Sequence, residues 1–330
     1  MANQNLTRAK QAKNDEFYTQ LSDIEKELNH YRHHFKGKVV LCNCDDPRVS
    51  NFFHYFSYNF EQLGLKKLIA TCYKNQNADL FTQNQSDKAI YLEYYGDKNG
   101  NRTPDSAEIG IKELKGDGDF RSAECIELLR QSDIVCTNPP FSLFREYVAL
   151  LAQHNKKFLI LGNMNAITYK EIFKLIKDNK LWTGVGFNLS MVFKTKYQNT
   201  IETNQKSVIA KGFNPRDGYV ITPAICWFTN LEHTKRHEDL ILYKTYKGNE
   251  SDYPKYDNYD AIEISKTADI PCDYDGVMGV PITFLGKYNP EQFELLGSNR
   301  GRDQDSSGIY GRGSFLNGVE TFKRLFIRKK

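Results

Sequence analysis

Apolar positions in the first half of the chain alternate between helical spacing and short continuous runs. Between residues 21 and 35 they recur every three or four positions, at Leu21, Ile24, Leu28, Tyr31 and Phe35. This spacing predicts an amphipathic helix, with Ser22 and Glu25 as its capping box. Short apolar runs then predict buried strands at 38–42, 68–72, 133–137 and 158–161. Helical patterns separate them at 47–64, 122–130, 143–153 and 168–178.

This alternation of strands and helices predicts an α/β fold built on a mostly parallel sheet covered by helices. A hairpin is predicted where the apolar run 89–95 meets the turn residues 97–101 and returns at 109–114. From about Thr183 the sequence becomes irregular, aromatic and Gly-rich, with short strands predicted at 224–229 and 280–285. We therefore predict one domain over 1–182, including a polar arm at 1–14, and another over 183–330.

Length and composition restrict the class of protein. A chain of 330 residues with 40% hydrophobic content can bury a sizeable core. No apolar run approaches the roughly 18 to 20 residues of a membrane span, and the polar N-terminal segment lacks the apolar stretch of a signal peptide. We expect a cytoplasmic protein without a membrane partner. The net charge of +4 permits a polyanionic partner but does not require one.

The cysteine and histidine patterns argue against a metal site. The seven cysteines are odd in number, most stand inside apolar runs, and none forms a Cys-x-x-Cys pair. Buried free thiols in a reducing compartment explain this pattern. His30, His33 and His34 share one predicted helix, away from paired cysteines, so we predict no zinc or other metal.

The most informative short motif is Asn138-Pro139-Pro140-Phe141, directly after the predicted strand 133–137. Methyl transfer to a planar amine requires hydrogen-bond acceptors that free the nitrogen lone pair from the ring. The Asn138 side-chain oxygen and the Pro139 carbonyl supply two uncharged acceptors, and the two prolines fix their direction. Phe141 offers a face for a base, and such stacking is worth roughly 1 to 3 kcal/mol. A duplex base would reach this loop only when flipped out.

Asn-Pro and Pro-Pro dipeptides also mark ordinary turns. Two features of the context favour the catalytic interpretation. The motif follows a buried strand, at the strand end where parallel sheets bind ligands, and the segment Gly116–Phe120 stands at another predicted strand end.

With these residues in place, the chain resembles the EcoRI-type adenine DNA methyltransferases of restriction-modification systems, nearly end to end. The resemblance is carried by the segments 15–20, 43–53, 116–120, 137–143 and 276–285. It implies a Rossmann-like class I methyltransferase fold with helices on both faces and a C-terminal DNA-recognition region. It also implies methyl transfer from S-adenosylmethionine to N6 of a flipped-out adenine at a specific site in double-stranded DNA.

As an enzyme of this class, the protein would be bacterial or phage-encoded and would act as a monomer. It would protect host DNA, and the cognate restriction endonuclease would belong to the same system without forming a complex with it.

The resemblance also implies residues that bind the cofactor. The Phe-Tyr-Thr element of the wider class, which holds the methionine part, corresponds to Phe17, Tyr18 and Thr19. The Asp-Phe pair that holds the cofactor's adenine corresponds to Asp119 and Phe120, and Asn138 borders the same site. Two structural alternatives remain open: 17–19 packs as a helix-entry loop, or Asp119 caps the helix that begins near Ser122.

The first-strand loop departs from the class pattern. A Gly-x-Gly turn is usual there, whereas this chain has Asn43-Cys44-Asp45-Asp46, so the glycine roles cannot be carried over. The second strand ends in Thr71-Cys72, where an acidic residue often receives the ribose hydroxyls. We predict that Asn43, Asp45 and Asp46 contact the cofactor, with one of the two aspartates taking the ribose. Alternatively, Asp46 only caps the helix at Pro47.

The resemblance implies that DNA recognition lies mainly after the catalytic core, where the chain is rich in basic residues. These are Arg300, Arg302, Arg312, Lys323, Arg324, Arg328, Lys329 and Lys330. Basic side chains suit phosphate contacts, although a solvated terminus has the same composition. The N-terminal Arg8, Lys10 and Lys13 have the same two interpretations.

Two alternatives in function stay open at this stage. Asn-Pro-Pro loops serve any planar amine, so a related enzyme acting on cytosine N4, RNA or protein glutamine shares the motif. Because the cofactor loop is altered, a catalytically dead DNA-binding relative is the second alternative.

Overall fold

The computed structural model describes residues 18–44, 50–73, 89–101, 104–105, 108–195, 205–222, 224–300 and 310–330. These residues form two compact units. The first contains the described residues up to Met164 and those from Leu189 to Leu231. The second contains Asn165–Asn188 and the described residues from Glu232 to Lys330.

Strands and helices follow the predicted order closely. The strands are β1 (Tyr18–Thr19), β2 (Val39–Cys42), β3 (Lys67–Thr71), β4 (Ile90–Tyr94), β5 (Gly110–Glu113), β6 (Ile134–Thr137), β7 (Lys157–Asn163), β8 (Trp182–Thr183), β9 (Val192–Lys194), β10 (Tyr219–Ile221), β11 (Ile225–Thr229), β12 (Ala261–Glu263), β13 (Val277–Pro281), β14 (Phe293–Ser298), β15 (Phe315–Leu316), β16 (Val319–Glu320) and β17 (Arg324–Lys329). The α-helices are α1 (Leu21–Leu28), α2 (Asn51–Tyr58), α3 (Phe60–Leu63), α4 (Ala123–Gln131), α5 (Phe144–Gln153), α6 (Lys170–Lys177) and α7 (Gln205–Ala210).

The large sheet of the first unit has the strand order β5-β4-β3-β2-β6-β7-β11. Its centre is parallel, because β2 pairs in parallel with β3 and β6, and β6 pairs in parallel with β7. Strands β4, β5 and β11 pair antiparallel. The protein is therefore a mixed α/β protein. The four central strands are parallel, as predicted, and β4 and β5 form the predicted hairpin. Strand β11 pairs antiparallel with β7, a pairing that the sequence did not predict.

Burial explains why the central strands are continuously apolar. All residues of β2 and β6 are buried, as expected for parallel strands covered on both faces, whereas the edge strand β5 is exposed. Helices α2, α4 and α5 contact β3, β2 and β7. The chain passes from β2 to β3 on one side and later to β6 on the other, so the strand order reverses at β2. A crevice at the carboxyl ends of such a pair is the usual ligand site of open parallel sheets.

The first helix begins differently from its prediction. Helix α1 starts at Leu21, and the Gln20 carbonyl accepts the backbone N–H groups of Asp23 and Ile24. The predicted capping box of Ser22 and Glu25 is therefore wrong, because Ser22 already lies in the first turn. The helix predicted over 47–64 ends where expected, because Gly64 follows α3 with φ +63°, a left-handed conformation typical of helix ends.

The two units do not divide at the single boundary predicted between 182 and 183. Strand β11 pairs antiparallel with β7, and its Trp227 and Phe228 are fully buried. Strand β9 joins β1 and β10 in a small sheet over a core that contains Val192, Val208 and Ile221. The described residues between 189 and 231 therefore pack with the first unit, since their strands complete its sheets.

The second unit contains the sheet β12-β13-β17-β14. Buried aromatic residues pack against it, among them Tyr256, Tyr259 and Phe326. The strand predicted at 280–285 is shifted: β13 ends at Pro281, and a 3₁₀ helix covers Ile282–Lys287.

All seven cysteines lie in the described part of the chain, none is in a disulfide, and five are buried. None of the described helices is long and apolar enough to cross a membrane.

Candidate active site

The predicted catalytic loop stands at the carboxyl end of the central strand β6. Asn138 and Pro139 are buried, while Pro140 and Phe141 are half-buried. The Pro140 carbonyl accepts the Leu143 N–H at 3.0 Å, which closes a 3₁₀ turn over Phe141–Leu143 before α5 begins at Phe144. The loop is thus held between a buried strand and a helix.

Asn43, directly after β2, is anchored to the strand before this loop and to the helix after it. The Thr137 hydroxyl donates to the Asn43 carbonyl, and the Tyr147 hydroxyl donates to Asn43 Oδ1 at 2.6 Å. Asn43 and Tyr147 are both buried. Burial raises the pKa of Tyr147 well above its ordinary value, so its hydroxyl stays protonated and donates.

Tyr147 is a residue that the sequence interpretation missed. Its spacing with Phe144 and Leu151 places it on the buried face of α5, a signal that predicts packing only. The structure adds the contact with Asn43, which lies on a different segment.

Cys44 explains how the first-strand loop turns without glycine. Its φ of +81° lies in the left-handed region that non-glycine residues rarely adopt. The backbone here thus takes a glycine-like conformation although the glycine is absent. For a residue with a side chain that conformation costs roughly 1 to 2 kcal/mol.

We expect Cys44→Gly to be about 1 kcal/mol more stable to unfolding than Cys44→Ala, because glycine relieves the left-handed strain whereas alanine retains it. Urea unfolding of the two variants measures the difference. Both variants lack the thiol, so their comparison isolates the backbone conformation. An alanine variant as stable as the glycine variant would show that Cys44 is unstrained.

The predicted Phe-Tyr-Thr element is described from Tyr18 onward. Tyr18 pairs with Lys194 and Thr19 with Phe193 in the small sheet. The Thr19 carbonyl accepts a hydrogen bond from Asn51 Nδ2 at 2.7 Å, which ties it to the first residue of α2. The buried Thr19 hydroxyl finds no hydrogen-bond partner among the residues that the structure describes. Phe17, Asp45 and Asp46 lie outside the described residues, as does Pro47 with its proposed cap.

The segment Gly116–Phe120 packs against the end of β3. Gly118 takes φ +80°, and a Cβ there would stand 2.2 Å from the Cys72 carbonyl oxygen, so only glycine permits this approach. Phe120 is buried, and its ring packs edge-to-face on Tyr147 with centroids 5.1 Å apart. Tyr147 therefore touches two of the segments predicted to bind the cofactor.

Asp119 is held by Arg121, a second residue that the sequence interpretation missed. The guanidinium donates from Nε to Asp119 Oδ1 at 2.9 Å and from an Nη atom to Oδ2 at 2.7 Å. This contact lowers the pKa of Asp119, so the carboxylate stays ionised. Ser122 caps α4 by accepting the Cys125 N–H. The alternative in which Asp119 caps that helix is therefore wrong.

Asp119, Thr19 and Phe120 differ in how readily they could contact a polar methyl donor. Arg121 donates three hydrogen bonds to Asp119, including one from its backbone N–H, and a carboxylate accepts about four. Within the described chain, Asp119 therefore retains capacity for one more donor, such as an amine. The Thr19 hydroxyl supplies another buried polar atom. The Phe120 ring is less accessible to a cofactor, because the Arg121 guanidinium lies 5.3 Å from its ring centroid.

The basic C-terminal residues are mostly engaged within the chain. Arg324 pairs with the buried Glu263 at 2.6 Å, so within the described chain its guanidinium is engaged in the second unit. Arg328 pairs with Glu294 at 2.7 Å on the surface. Further contacts of this kind join Arg300 to Glu320, Lys329 to Asp275, Lys323 to Asn165 and Lys330 to the Pro290 carbonyl. Arg312 is exposed. Arg8, Lys10, Lys13 and Arg302 lie outside the described residues.

The sequence Asn-Pro-Pro-Phe follows β6, next to the anchored end of β2, and this arrangement in a mixed α/β sheet is typical of amino-methyltransferases. The family described as adenine-specific methyltransferase EcoRI matches residues 5–330. The chain belongs to this family, which confirms the predicted resemblance.

Individual relatives extend over most of the chain. The type II methyltransferase M.EcoRI of Escherichia coli is 50% identical over 326 residues, 98% of each chain. M.MpnI of Mycoplasma pneumoniae is 46% identical over 88% of this chain and 84% of its own. M.MgeORF184P of Mycoplasma genitalium is 42% identical over 88% and 85%. No solved structure matches the chain significantly.

Proposed function

We propose that this chain is a site-specific DNA adenine N6-methyltransferase that uses S-adenosylmethionine and protects host DNA in a restriction-modification system. The observation that carries the proposal is the position of Asn138–Phe141 at the point where the strand order of the sheet reverses, in a member of an adenine-specific family. The relatives, which are all named as type II methyltransferases, support the same class of reaction.

The target amine would be held by two uncharged acceptors. The Asn138 side-chain oxygen and the Pro139 carbonyl each accept one amine hydrogen, which draws the nitrogen lone pair out of conjugation with the ring. S-adenosylmethionine, when bound, supplies an electrophilic methyl group on its sulfonium. Pro139 and Pro140 keep the acceptors in one direction, so little reorganisation is needed during transfer.

The cofactor would be held at the carboxyl ends of β2 and β3. Asp119 accepts the adenine amine through its remaining lone pair, and Phe120 forms an apolar wall. Tyr18 and Thr19 hold the methionine part together with Phe17. Asn43 contacts the cofactor at the end of β2, and Asp45 or Asp46 receives the ribose hydroxyls. Asn138 borders this site from β6.

DNA recognition would fall mainly to the part of the chain after the catalytic core. The first unit would have the Rossmann-like fold of class I methyltransferases. The exposed Arg312 is the described C-terminal cation best suited to a phosphate. Base flipping delivers the target adenine to Phe141, whose half-buried ring lies in the turn that follows the acceptors.

Phe141→Ala should weaken retention of the flipped base by about 1 to 3 kcal/mol, because the stacking face is lost. With 2-aminopurine at the target position, the fluorescence increase on binding should shrink. Leu143→Ala is the matched control, since Leu143 is half-buried in the same 3₁₀ turn. An unchanged signal in Phe141→Ala, or an equal loss in Leu143→Ala, would contradict stacking on Phe141.

The reaction itself can be tested with S-adenosylmethionine labelled at the methyl group and unmethylated duplex DNA, RNA and protein. Digestion of each product and mass spectrometry should show the label in N6-methyladenine of DNA. Label in N4-methylcytosine, in RNA or in protein glutamine would replace the proposed substrate. Absence of both transfer and cofactor binding would favour a catalytically dead DNA-binding protein.

A further inference from the structure

Tyr147 stands one turn into helix α5, which follows the catalytic loop Asn138–Phe141. We propose that Tyr147 is a positioning residue that couples the catalytic loop to the methyl-donor site. It would do so by orienting Asn43 and supporting Phe120. This inference rests on the proposed function, because it takes Asn43 and Phe120 as parts of the cofactor site.

The contacts of this one side chain join segments far apart in sequence. Its hydroxyl donates to Asn43 Oδ1 at 2.6 Å, after β2, and its ring meets Phe120 edge-to-face at 5.1 Å, after β5. Only 1% of Tyr147 is exposed, so packing fixes the ring while the hydroxyl aims at a single acceptor. A displacement of α5 would therefore move both cofactor segments.

The hydrogen bond also decides which way the Asn43 amide faces. An amide whose oxygen is held by a hydroxyl presents its two N–H donors on the other side. Phenylalanine at 147 would fill the same space but leave Asn43 Oδ1 with only the weak Cys44 thiol donor at 3.5 Å. We therefore expect the Asn43 NH₂ group to donate a hydrogen bond to an acceptor atom of the methyl donor.

The strained neighbour Cys44 adds a second reason for the anchor. A left-handed non-glycine residue persists only where its surroundings fix the backbone. Asn43, directly before Cys44, is held at its carbonyl by Thr137 and at its side chain by Tyr147. Loss of the Tyr147 hydroxyl removes the stronger of the two hydrogen bonds to the Asn43 side chain and leaves the weak contact with the Cys44 thiol.

The test is Tyr147→Phe in the full chain, with S-adenosylmethionine binding measured by calorimetry and turnover measured on DNA. We expect the dissociation constant and KM for S-adenosylmethionine to rise about tenfold, as for one lost buried hydrogen bond, with kcat at saturation changed less than about twofold. Tyr31→Phe is the matched control, because it removes a buried hydroxyl that donates to Glu27 at 3.0 Å. That variant should leave KM unchanged.

A double-mutant cycle separates positioning from general packing. In an Asn43→Ala background, Tyr147→Phe should raise the dissociation constant no further. An unchanged dissociation constant in Tyr147→Phe alone, or a full tenfold rise in the Asn43→Ala background, would overturn the assignment while leaving the proposed function intact. If the wild-type chain bound no S-adenosylmethionine, the proposed function itself would fail, and the assignment with it.

Discussion

Asn138→Ala should lower the rate of methyl transfer by about 10²- to 10³-fold while leaving DNA and cofactor binding largely intact. The side-chain oxygen accepts the amine hydrogen most strongly as the nitrogen becomes pyramidal, so its loss falls on the transition state. Single-turnover kinetics at saturating S-adenosylmethionine measure the effect, and gel-shift titration measures DNA binding.

The matched control at this position is Asn138→Asp, which keeps an acceptor oxygen and nearly the same shape. It should retain more activity than Asn138→Ala. Near-normal turnover in Asn138→Ala would show that the Asn138 side-chain oxygen is not a required acceptor for the target amine. A rate loss explained entirely by weaker binding would assign Asn138 to the cofactor site alone.

Arg324→Ala should destabilise the protein by about 3 to 5 kcal/mol, because it leaves the Glu263 carboxylate buried without its partner. The Glu263 side chain is only 4% exposed and accepts from Arg324 at 2.6 Å and from the Tyr256 hydroxyl. Urea unfolding followed by a probe in the second unit measures the change in the free energy of unfolding.

Arg328→Ala removes an arginine from the same strand, β17, and is the control. Its pair with Glu294 is about half exposed, so we expect a loss of about 0 to 1 kcal/mol. Equal effects of the two substitutions would show that the Arg324 contact with Glu263 is no stronger than a surface ion pair. A large loss of DNA affinity in a stable Arg324→Ala protein would instead restore its predicted contact with phosphate.

Much of the first unit follows from local sequence patterns. The runs that predict β2, β3, β6 and β7 are the parallel centre of the sheet, and they are continuously apolar because both faces are covered. Since parallel strands share an edge for their carboxyl ends, the same patterns bring Asn43 and Asn138 to one edge. The position of the amino-methyltransferase loop therefore follows from the sequence alone.

Contacts between distant segments could not be predicted in this way. The apolar run of β11 indicates a strand, but nothing in it selects β7 as its partner, and this choice moves the boundary between the units. Tyr147 and Asn43 are 104 positions apart, and Arg324 and Glu263 are 61 apart. The DNA contact predicted for Arg324 depended on its positive charge alone. The sequence gives the charge of a side chain but does not show which group lies next to it in the fold.

The cofactor loop shows a different limit. Because the glycines are missing, their roles could not be carried over from the class pattern, yet Cys44 adopts a glycine-like conformation at φ +81°. A residue type indicates which backbone conformations have a low free energy. Hydrogen bonds such as those from Thr137 and Tyr147 can hold the backbone in a conformation of higher free energy. Arg121, by contrast, stands two residues from Asp119, and that short spacing of opposite charges was a signal available in the sequence.

We propose that the loop Asn138–Phe141 holds adenine N6 for methylation within a fixed DNA sequence. The test is to incubate unmethylated genomic DNA with S-adenosylmethionine and either the wild-type chain or Asn138→Ala, and to read the product by single-molecule sequencing. We predict N6-methyladenine in one recurring sequence with the wild-type chain and almost none with Asn138→Ala. Methylation of a base other than adenine, or equal methylation by both proteins, would contradict the claim.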